Sequence, residues 1–274
     1  MHRPKKRLGQ HFLVDTQIIQ QIIAAIRPRP DQHLVEIGPG QGVLTQPLLQ
    51  IAGALDAIEL DTDLIPHLEA RYADQGQLRI HHADALHFAY HKLTPHPIRL
   101  VGNLPYNIST PLIFHLLSQR DTVQDMHFML QQEVVTRMAA QPGNKTYGRL
   151  SVMVQDACQV EVLFDIEPDA FNPPPKVMSS FVRLTPIPEK HPAAHQQAFS
   201  QIVAQAFNQR RKTLRNSLKT WLTTQQIQQA EIAPSARAEN LDVADYHRLT
   251  TQYLKKKGSE YNKNSIQCSS APLI

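Results

Sequence analysis

Four consecutive residues, Asn103, Leu104, Pro105 and Tyr106, are well suited to chemistry, and they directly follow the apolar run at residues 98–101. The exocyclic nitrogen of adenine is a weak nucleophile because its lone pair is delocalised into the ring. Two acceptors that bind its N–H groups out of the ring plane would localise this lone pair. If this nitrogen attacks an electrophilic group, acceptors held in place also stabilise the positive charge that develops on it. The side-chain oxygen of Asn103 and the carbonyl oxygen of Leu104 could be these two acceptors.

The other two residues of this turn would support the first two. Pro105 restricts Leu104 to an extended conformation and so directs its carbonyl. Tyr106 offers a ring face for stacking a base, worth ~1–3 kcal/mol. The alternative is a strand-ending turn that contains these residues for local reasons. The chemical interpretation is favoured because the turn comes one strand–helix unit after Asp84.

A glycine-rich loop at residues 36–42, Glu-Ile-Gly-Pro-Gly-Gln-Gly, follows the first predicted strand directly. Glycines allow a sharp turn and a close approach of a ligand to the backbone. A dinucleotide loop would have the spacing G-x-G-x-x-G, but Val43 stands where its third glycine would be. The loop is similar to the first motif of Rossmann-like S-adenosylmethionine methyltransferases. We predict that Gly38 and Gly40 line a cofactor site, the alternative being a connection without a ligand.

Two acids follow the next two predicted strands. Glu59 ends the second strand, where an acid can accept hydrogen bonds from both hydroxyls of a ribose. Asp84 comes just after the third strand, where it could accept from the amine of the cofactor's adenine. The alternatives are a surface acid and an ordinary turn aspartate. Their positions relative to the glycine loop favour cofactor binding for both.

A second aromatic residue, Phe171, precedes the rigid run Asn-Pro-Pro-Pro at residues 172–175. The prolines could hold Phe171 against the second face of an extruded adenine, which would give a two-sided clamp. A core phenylalanine beside a rigid loop is an equally good interpretation of the same residues.

Short apolar runs alternate with helical patterns over the first part of the chain, which is typical of a parallel sheet covered by helices on both faces. Strands are predicted at residues 34–37, 55–59, 78–82, 98–101 and 126–130. Helices are predicted at residues 17–26, 43–49, 64–72 and 112–117. Residues 152–164 and 181–184 are predicted to form an antiparallel hairpin at the sheet edge.

Strand patterns end near Pro188, and helical patterns follow at residues 193–222 and 242–254. We therefore predict an α/β domain over residues 1–188, including a basic N-terminal segment, and a small all-helical domain over residues 189–257. Asp242 could cap the last helix. The polar composition of residues 258–274 predicts a disordered tail.

The composition excludes several classes of protein. The chain has 274 residues, of which 42% are hydrophobic and 19% charged, and no apolar run approaches the ~20 residues needed to span a bilayer. The basic N-terminus lacks the apolar core of a signal peptide, so we expect a cytoplasmic protein. The two cysteines form no disulfide framework, and the fourteen histidines show no metal-binding motif, so we expect no metal.

Basic residues are concentrated in two segments although the net charge is only +4. No acid occurs before Asp15, and none occurs between Phe199 and Thr220. Such segments suit a polyanionic partner, or they are solvated surface faces. The basic residues of the second segment include Arg210, Arg211, Lys212 and Arg215.

Four motifs occur here in one order: Arg-Leu-Gly-Gln-His-Phe-Leu at residues 7–13, the glycine loop, the turn at residues 103–106 and the run at residues 171–177. Together they resemble the bacterial family of small-subunit ribosomal RNA adenine dimethyltransferases, over residues 7–254. The resemblance implies a Rossmann-like fold and S-adenosylmethionine as cofactor. It implies N6-dimethylation of two adjacent adenosines in the 3′-terminal hairpin loop of 16S rRNA, a late role in 30S assembly, and kasugamycin resistance on loss of the enzyme.

The resemblance also implies roles for single residues. His11 and Leu13 would touch the cofactor, and Gly38 would line its methionine end. Asn103 would face both the cofactor and the target amine. Many relatives have Asn at the position of His11. This departure affects only a role of the His11 side chain, because the backbone of His11 can still contact the cofactor. The helical domain would help to dock the protein on the ribosomal particle, where the resemblance implies RNA-phosphate contacts from Arg210, Arg211, Lys212 and Arg215.

Two alternatives stay open at this point. The first is a 23S rRNA adenine methyltransferase of the macrolide-resistance type, which would share the catalytic turn. The second is an assembly factor that binds immature 30S particles without catalysis. We expect a monomer, because nothing in the sequence suggests a dimer interface.

Overall fold

A computed structural model describes residues 10–209 and 211–268, with side chains described as far as Gly258. The strands are β1 Phe12–Leu13, β2 His33–Ile37, β3 Ala54–Glu59, β4 Gln77–His82, β5 Ile98–Asn103, β6 Val123–Gln131, β7 Cys158–Ile166, β8 Phe171–Asn172 and β9 Ser179–Pro186. The helices are α1 Thr16–Ile26, α2 Thr45–Ala52, α3 Ile65–Tyr72, α4 Ser109–Leu117, α5 Gln132–Ala139, α6 Arg149–Ala157, α7 Ala193–Phe207, α8 Leu214–Ser217, α9 Thr224–Gln229 and α10 Val243–Cys268.

The main sheet has seven strands in the order β4-β3-β2-β5-β6-β9-β7. The five strands from β4 to β6 are parallel, while β9 and β7 run antiparallel at one side. The central strands are buried along nearly their whole length, as sheets covered on both faces require. The predicted α/β class with a helical C-terminal region is confirmed.

The predicted hairpin begins later than expected, because residues 149–157 form α6 and the strand starts at Cys158. The valines of this segment favour a strand by propensity. Val152 packs instead in a core cluster with Tyr147 and Phe199, and this packing outweighs the local preference. A second sheet, which the sequence did not predict, pairs Leu13 with Phe171 and Phe12 with Asn172.

The first helix shows why these boundaries form. Asp15 accepts hydrogen bonds from the backbone N–H groups of Gln17 and Ile18, which satisfies the start of α1. Ile22 and Ile26 face the core, and the helix ends at Arg27. At the other end of the chain Asp242 accepts from the N–H of Asp245, so the predicted cap of α10 is confirmed.

The described chain divides into two compact units. The first contains the residues up to Ala139 and Ala157–Pro188, and the second contains Ala140–Asp156 and the residues from Glu189 onward. The division at Pro188 coincides with the predicted boundary, but residues 140–156 pack with the helical unit because Tyr147 and Val152 belong to its core. That each unit is an independently folding domain stays a prediction.

Helix α10 continues to Cys268, so residues 258–268, which we predicted to be disordered, are helical. The apolar residues of α10 end near Leu254, but the helix continues through Lys255, Lys256 and Lys257 because lysine is a good helix former. The predicted tail beyond Cys268 lies outside the described residues. In the part of the chain that the structure describes, none of the helices combines the length and apolar character needed to cross a bilayer.

Candidate active site

A cavity of about 310 Å³ lies where the carboxyl ends of the parallel strands meet. Ten of the predicted site residues line it: His11, Leu13, Gly38, Gly40, Glu59, Asp84, Asn103, Leu104, Pro105 and Tyr106. They come from segments spread over almost a hundred positions. The parallel strand order brings the ends of β2, β3, β4 and β5 to one edge, whereas His11 and Leu13 reach the cavity from the separate β1–β8 sheet and the residue before it. Their predicted individual roles are not settled by this placement.

The glycine loop turns through left-handed backbone conformations. Gly40 has a φ of 58°, and a Cβ at this position would lie 3.1 Å from the ring of Phe12. Gly42 has a φ of 80°, and a Cβ there would overlap the hydroxyl of Tyr72. That hydroxyl donates to the carbonyl of Gly42 at 2.7 Å. Contacts with Phe12 and Tyr72 therefore hold the loop in place, and its glycines keep the backbone close to the cavity.

Glu59 lies at the end of β3 and is only 6% exposed. Its carboxylate accepts from the N–H of Gly40 at 3.2 Å and from the N–H of Asp61 at 2.8 Å. Burial raises the pKa of Glu59, although these two hydrogen bonds oppose the shift. Each carboxylate oxygen retains a second lone pair, so this fixed group can still accept from a diol in the cavity.

Asp84 lies in the loop after β4, and its side chain is 37% exposed. One carboxylate oxygen accepts from the N–H of Leu86 at 2.9 Å, and the other lies 3.1 Å from the His87 ring. These contacts fix the carboxylate at the cavity wall. Its position suits the predicted contact with an amine.

Asn103 ends β5, and its amide nitrogen donates to the carbonyl oxygen of His11 at 2.8 Å. A carbonyl oxygen can only accept, so the nitrogen must be the atom that faces His11. The amide oxygen of Asn103 consequently remains for a ligand amine. The contact uses the backbone of His11, so it does not depend on which side chain stands there. The His11 ring instead contacts the carbonyl oxygen of Pro173 at 2.8 Å.

The rest of the turn is fixed by backbone and ring contacts. The N–H of Leu104 donates to the carbonyl of Met129 on the neighbouring strand at 3.2 Å. The Tyr106 hydroxyl lies 2.8 Å from the hydroxyl of Ser179. One face of the Tyr106 ring stacks on His11, with ring centroids 5.6 Å apart. A base stacked on Tyr106 would therefore use the opposite face.

The structure does not form the predicted clamp by Phe171. Its side chain is 3% exposed, belongs to the core of the first unit and does not line the cavity formed by the described residues. The reason is the pairing of β8 with β1, which turns Phe171 into the core beside Leu13. The sequence allowed this core position equally, and a catalytic role for Phe171 stays a prediction.

Glu36 is a cavity residue to which the sequence interpretation gave no role. It is 2% exposed, and the Thr45 hydroxyl donates to it at 2.6 Å. Burial raises the pKa of Glu36 to about 7, and the nearby Glu59 adds to this shift. An acid at the end of a buried strand, directly before a glycine loop, was the signal that could have identified it. Gln10, which also lines the cavity, donates to Asp61 at 3.1 Å.

The predicted RNA-binding residues belong to the second unit. Arg211, Lys212 and Arg215 are exposed at the start of α8 and just before it. Arg210 lies outside the described residues. The contacts of these residues with RNA stay predictions.

Comparison with known proteins identifies the family of the chain. Residues 1–255 match the family model described as "Ribosomal RNA adenine dimethylase". The chain is 53% identical over 264 residues to a protein of Hydrogenovibrio crunogenus named "Ribosomal RNA small subunit methyltransferase A", with 93% of this chain and 98% of that protein covered. It is 52% identical to a protein of the same name from Pseudomonas aeruginosa, with 94% of this chain and 97% of the relative covered.

Solved structures show the same fold. A dimethyladenosine transferase from Plasmodium falciparum superposes with a TM-score of 0.75 at 26% identity, covering 90% of this chain and 98% of that one. The 23S rRNA methyltransferase ErmE superposes with a TM-score of 0.70 at 24% identity, covering 88% of this chain and 99% of that one. The second likeness shows the fold alone.

The fold and the cavity define a Rossmann-like methyltransferase that uses S-adenosylmethionine. The residues present fit this cofactor, because Glu36, Glu59 and Asp84 make the cavity walls acidic, which suits a cationic ligand. Within this class, the chain belongs to the ribosomal RNA adenine dimethylase family.

Proposed function

We propose that this protein transfers methyl groups to N6 of two adjacent adenosines in the 3′-terminal hairpin loop of 16S rRNA, two to each, within immature 30S particles. The relatives that are 52–53% identical are named for the small ribosomal subunit, which favours this substrate over 23S rRNA. We further propose that the protein acts as a monomer in the cytoplasm and participates in late 30S assembly.

The observation that carries the catalytic proposal is the fixed amide of Asn103. Its nitrogen is held by the His11 carbonyl at 2.8 Å, which leaves the oxygen to accept one N–H of the adenine amine. The carbonyl of Leu104, directed by Pro105, would accept the other. Bound S-adenosylmethionine supplies the electrophilic methyl group. Both acceptors are in place before transfer, so they stabilise the charge that develops on nitrogen without reorganisation.

The remaining cavity residues would bind and orient the ligands. Glu59 would hold the ribose hydroxyls of the cofactor, and Asp84 would hold its adenine amine. Tyr106 would stack on the target base with the ring face that His11 does not cover. The chain needs no strong base, because a methylated adenine amine that carries an extra proton is acidic enough to lose it to water.

Replacement of Asn103 tests the acceptor mechanism. Asn103→Ala should lower kcat by about 10²–10³-fold, by analogy with the loss of one preorganised hydrogen bond at a reacting centre. Binding to 30S particles should be largely kept. Asn208→Ala, which removes an exposed amide, is the matched control. Full activity of Asn103→Ala would refute the mechanism while leaving the family assignment intact.

A comparison of two RNA substrates tests which RNA is methylated. Methyl transfer should be measured on 30S particles that lack the modification and, separately, on naked 23S RNA, with modified nucleosides mapped by mass spectrometry. Modification confined to 23S RNA would contradict the proposed substrate. Particle binding without transfer to either RNA would indicate the assembly factor.

A further inference from the structure

Three histidines converge in the helical unit, two of them four residues apart in sequence and the third more than fifty residues later. His191 precedes α7, His195 lies in its first turn, and His247 lies near the start of α10. Each offers one ring nitrogen, and the three nitrogens lie within 4.8 Å of one another. The family activity described above gives these side chains no role.

A carboxylate orients one of the three rings. The Nε2 atom of His247 lies 2.8 Å from a carboxylate oxygen of Asp156, so Nε2 carries the proton and donates it. On the other side of the same ring, the Nδ1 atom of His247 lies 3.0 Å from Nε2 of His195. A carboxylate that holds the far nitrogen of a histidine is the usual second shell of a metal-binding imidazole.

Ring packing keeps the group together. His191 stacks on His195 with centroids 4.3 Å apart and on His247 at 4.2 Å. Phe199 stacks on the His247 ring at 4.3 Å.

We propose that His191, His195 and His247 form a binding site for a divalent first-row transition metal such as Zn²⁺, with Asp156 orienting His247. Neutral imidazoles suit this class of ion. Two nitrogens bound at ~2.0–2.1 Å to a tetrahedral ion are about 3.3 Å apart. The 3.0 Å separation of the His195 and His247 nitrogens is close to that value.

Metal binding replaces one proton in the group. In the metal-free group, Nε2 of His195 donates to Nδ1 of His247. The ion takes the place of this proton, which moves to Nδ1 of the same ring. The net charge of His195 therefore does not change. The ring of His191 supplies the third nitrogen, which lies within 4.8 Å of the other two, and water occupies the fourth position. The ion would join three helices of one unit, because the histidines and Asp156 lie on or beside α6, α7 and α10.

Titration of the full chain with Zn²⁺ by calorimetry tests the site. We expect one strong equivalent per chain, and His191→Ala should weaken it at least tenfold. His191→Cys should restore binding because a thiolate is also a Zn²⁺ ligand. Asp156→Asn should weaken it by about 10–100-fold by releasing the orientation of His247. His67→Ala, which removes an exposed histidine on α3, is the matched control and should titrate as the unmodified chain does.

Co²⁺ supplies a second readout that is independent of affinity, since tetrahedral Co²⁺ absorbs strongly in the visible and octahedral Co²⁺ does not. The unmodified chain and His191→Cys should develop this absorption, and His191→Ala should not. Circular dichroism should show that His191→Ala remains folded, because His191 is partly exposed. Equal titrations of the unmodified chain and a folded His191→Ala, or no saturable binding by the unmodified chain, would overturn the proposal. Neither result bears on methyl transfer.

Discussion

Glu36 and Asp56 are buried acids on the adjacent strands β2 and β3, yet their pKa values are displaced in opposite directions. Burial dominates at Glu36, whose one side-chain donor is the Thr45 hydroxyl, and raises its pKa to about 7. Burial alone would also raise the pKa of Asp56, but hydrogen bonds from three basic side chains outweigh it and lower the pKa. Those partners are His33, Arg79 and His81, at 2.6–3.0 Å.

The difference distinguishes an acid in the cavity from an acid in a structural network. Asp56 does not line the cavity and is surrounded by its own partners. Glu36 lines the cavity and lacks a basic partner among its hydrogen bonds and pKa determinants. Acids whose charge is poorly compensated within the protein are typical of sites that receive a ligand.

The largest expected effect comes from Glu36→Gln. Glu36 has a pKa of about 7 in the folded state and the usual value of 4.5 in the unfolded state. Between these pH values it is ionised mainly in the unfolded state, so the free energy of unfolding falls as pH rises from 4.5 to about 7. Gln keeps the hydrogen bond from Thr45 and removes the ionisation. At pH 8 the variant should be more stable than the parent by about 3 kcal/mol, and at pH 4 the two should be similar.

Urea unfolding at both pH values measures this difference. Glu69→Gln, at an exposed position on α3, should leave the free energy of unfolding nearly unchanged. A constant difference between parent and Glu36→Gln from pH 4 to pH 8 would show that Glu36 does not titrate in this range.

The next effect is expected at Asp56. Asp56→Asn removes the charge that three basic side chains share, and it should lower the free energy of unfolding at pH 7 by about 2 kcal/mol. A lowered pKa stabilises the fold above the usual value of 3.8, and this stabilisation is lost as pH falls through the folded-state pKa. The cost of the substitution should therefore shrink below pH 3.8. Methyl transfer by the folded variant should be unchanged. A selective loss of kcat would show that Asp56 contributes to the reaction, as the acids of the cavity are expected to do.

A smaller effect is expected at Glu59. Glu59→Gln keeps one acceptor oxygen but loses the charge, and it should weaken S-adenosylmethionine binding by about tenfold, or ~1.4 kcal/mol. Calorimetry measures the affinity, with the exposed Asp74→Asn as the control. Equal affinities of parent and Glu59→Gln would remove Glu59 from the cofactor site and weaken the contrast with Asp56.

Much of the cavity could be predicted from sequence because its parts are short and local. The glycine loop and Asp84 lie just after a strand, Glu59 and Asn103 end one, and the carboxyl ends of parallel strands meet at one edge of the sheet. The position of Phe171 could not be predicted, since its burial follows from pairing with β1, more than 150 residues earlier. The pattern at residues 152–157 predicts a strand, although these residues are helical, because most of the residues that pack against this helix come much later in the chain.

The amino-acid order by itself determined the alternation of strands and helices, the glycine loop and the Asn103 turn, because these depend on neighbours within a few residues. Only the tertiary structure decided that the amide nitrogen of Asn103, and not its oxygen, faces His11, which buried acid has a raised pKa, and which histidines meet. His191 and His195 are spaced by four residues, but His247 joins them only when α7 and α10 pack together. Charge compensation and convergent ligands depend on contacts between distant segments, and a linear pattern does not contain those contacts.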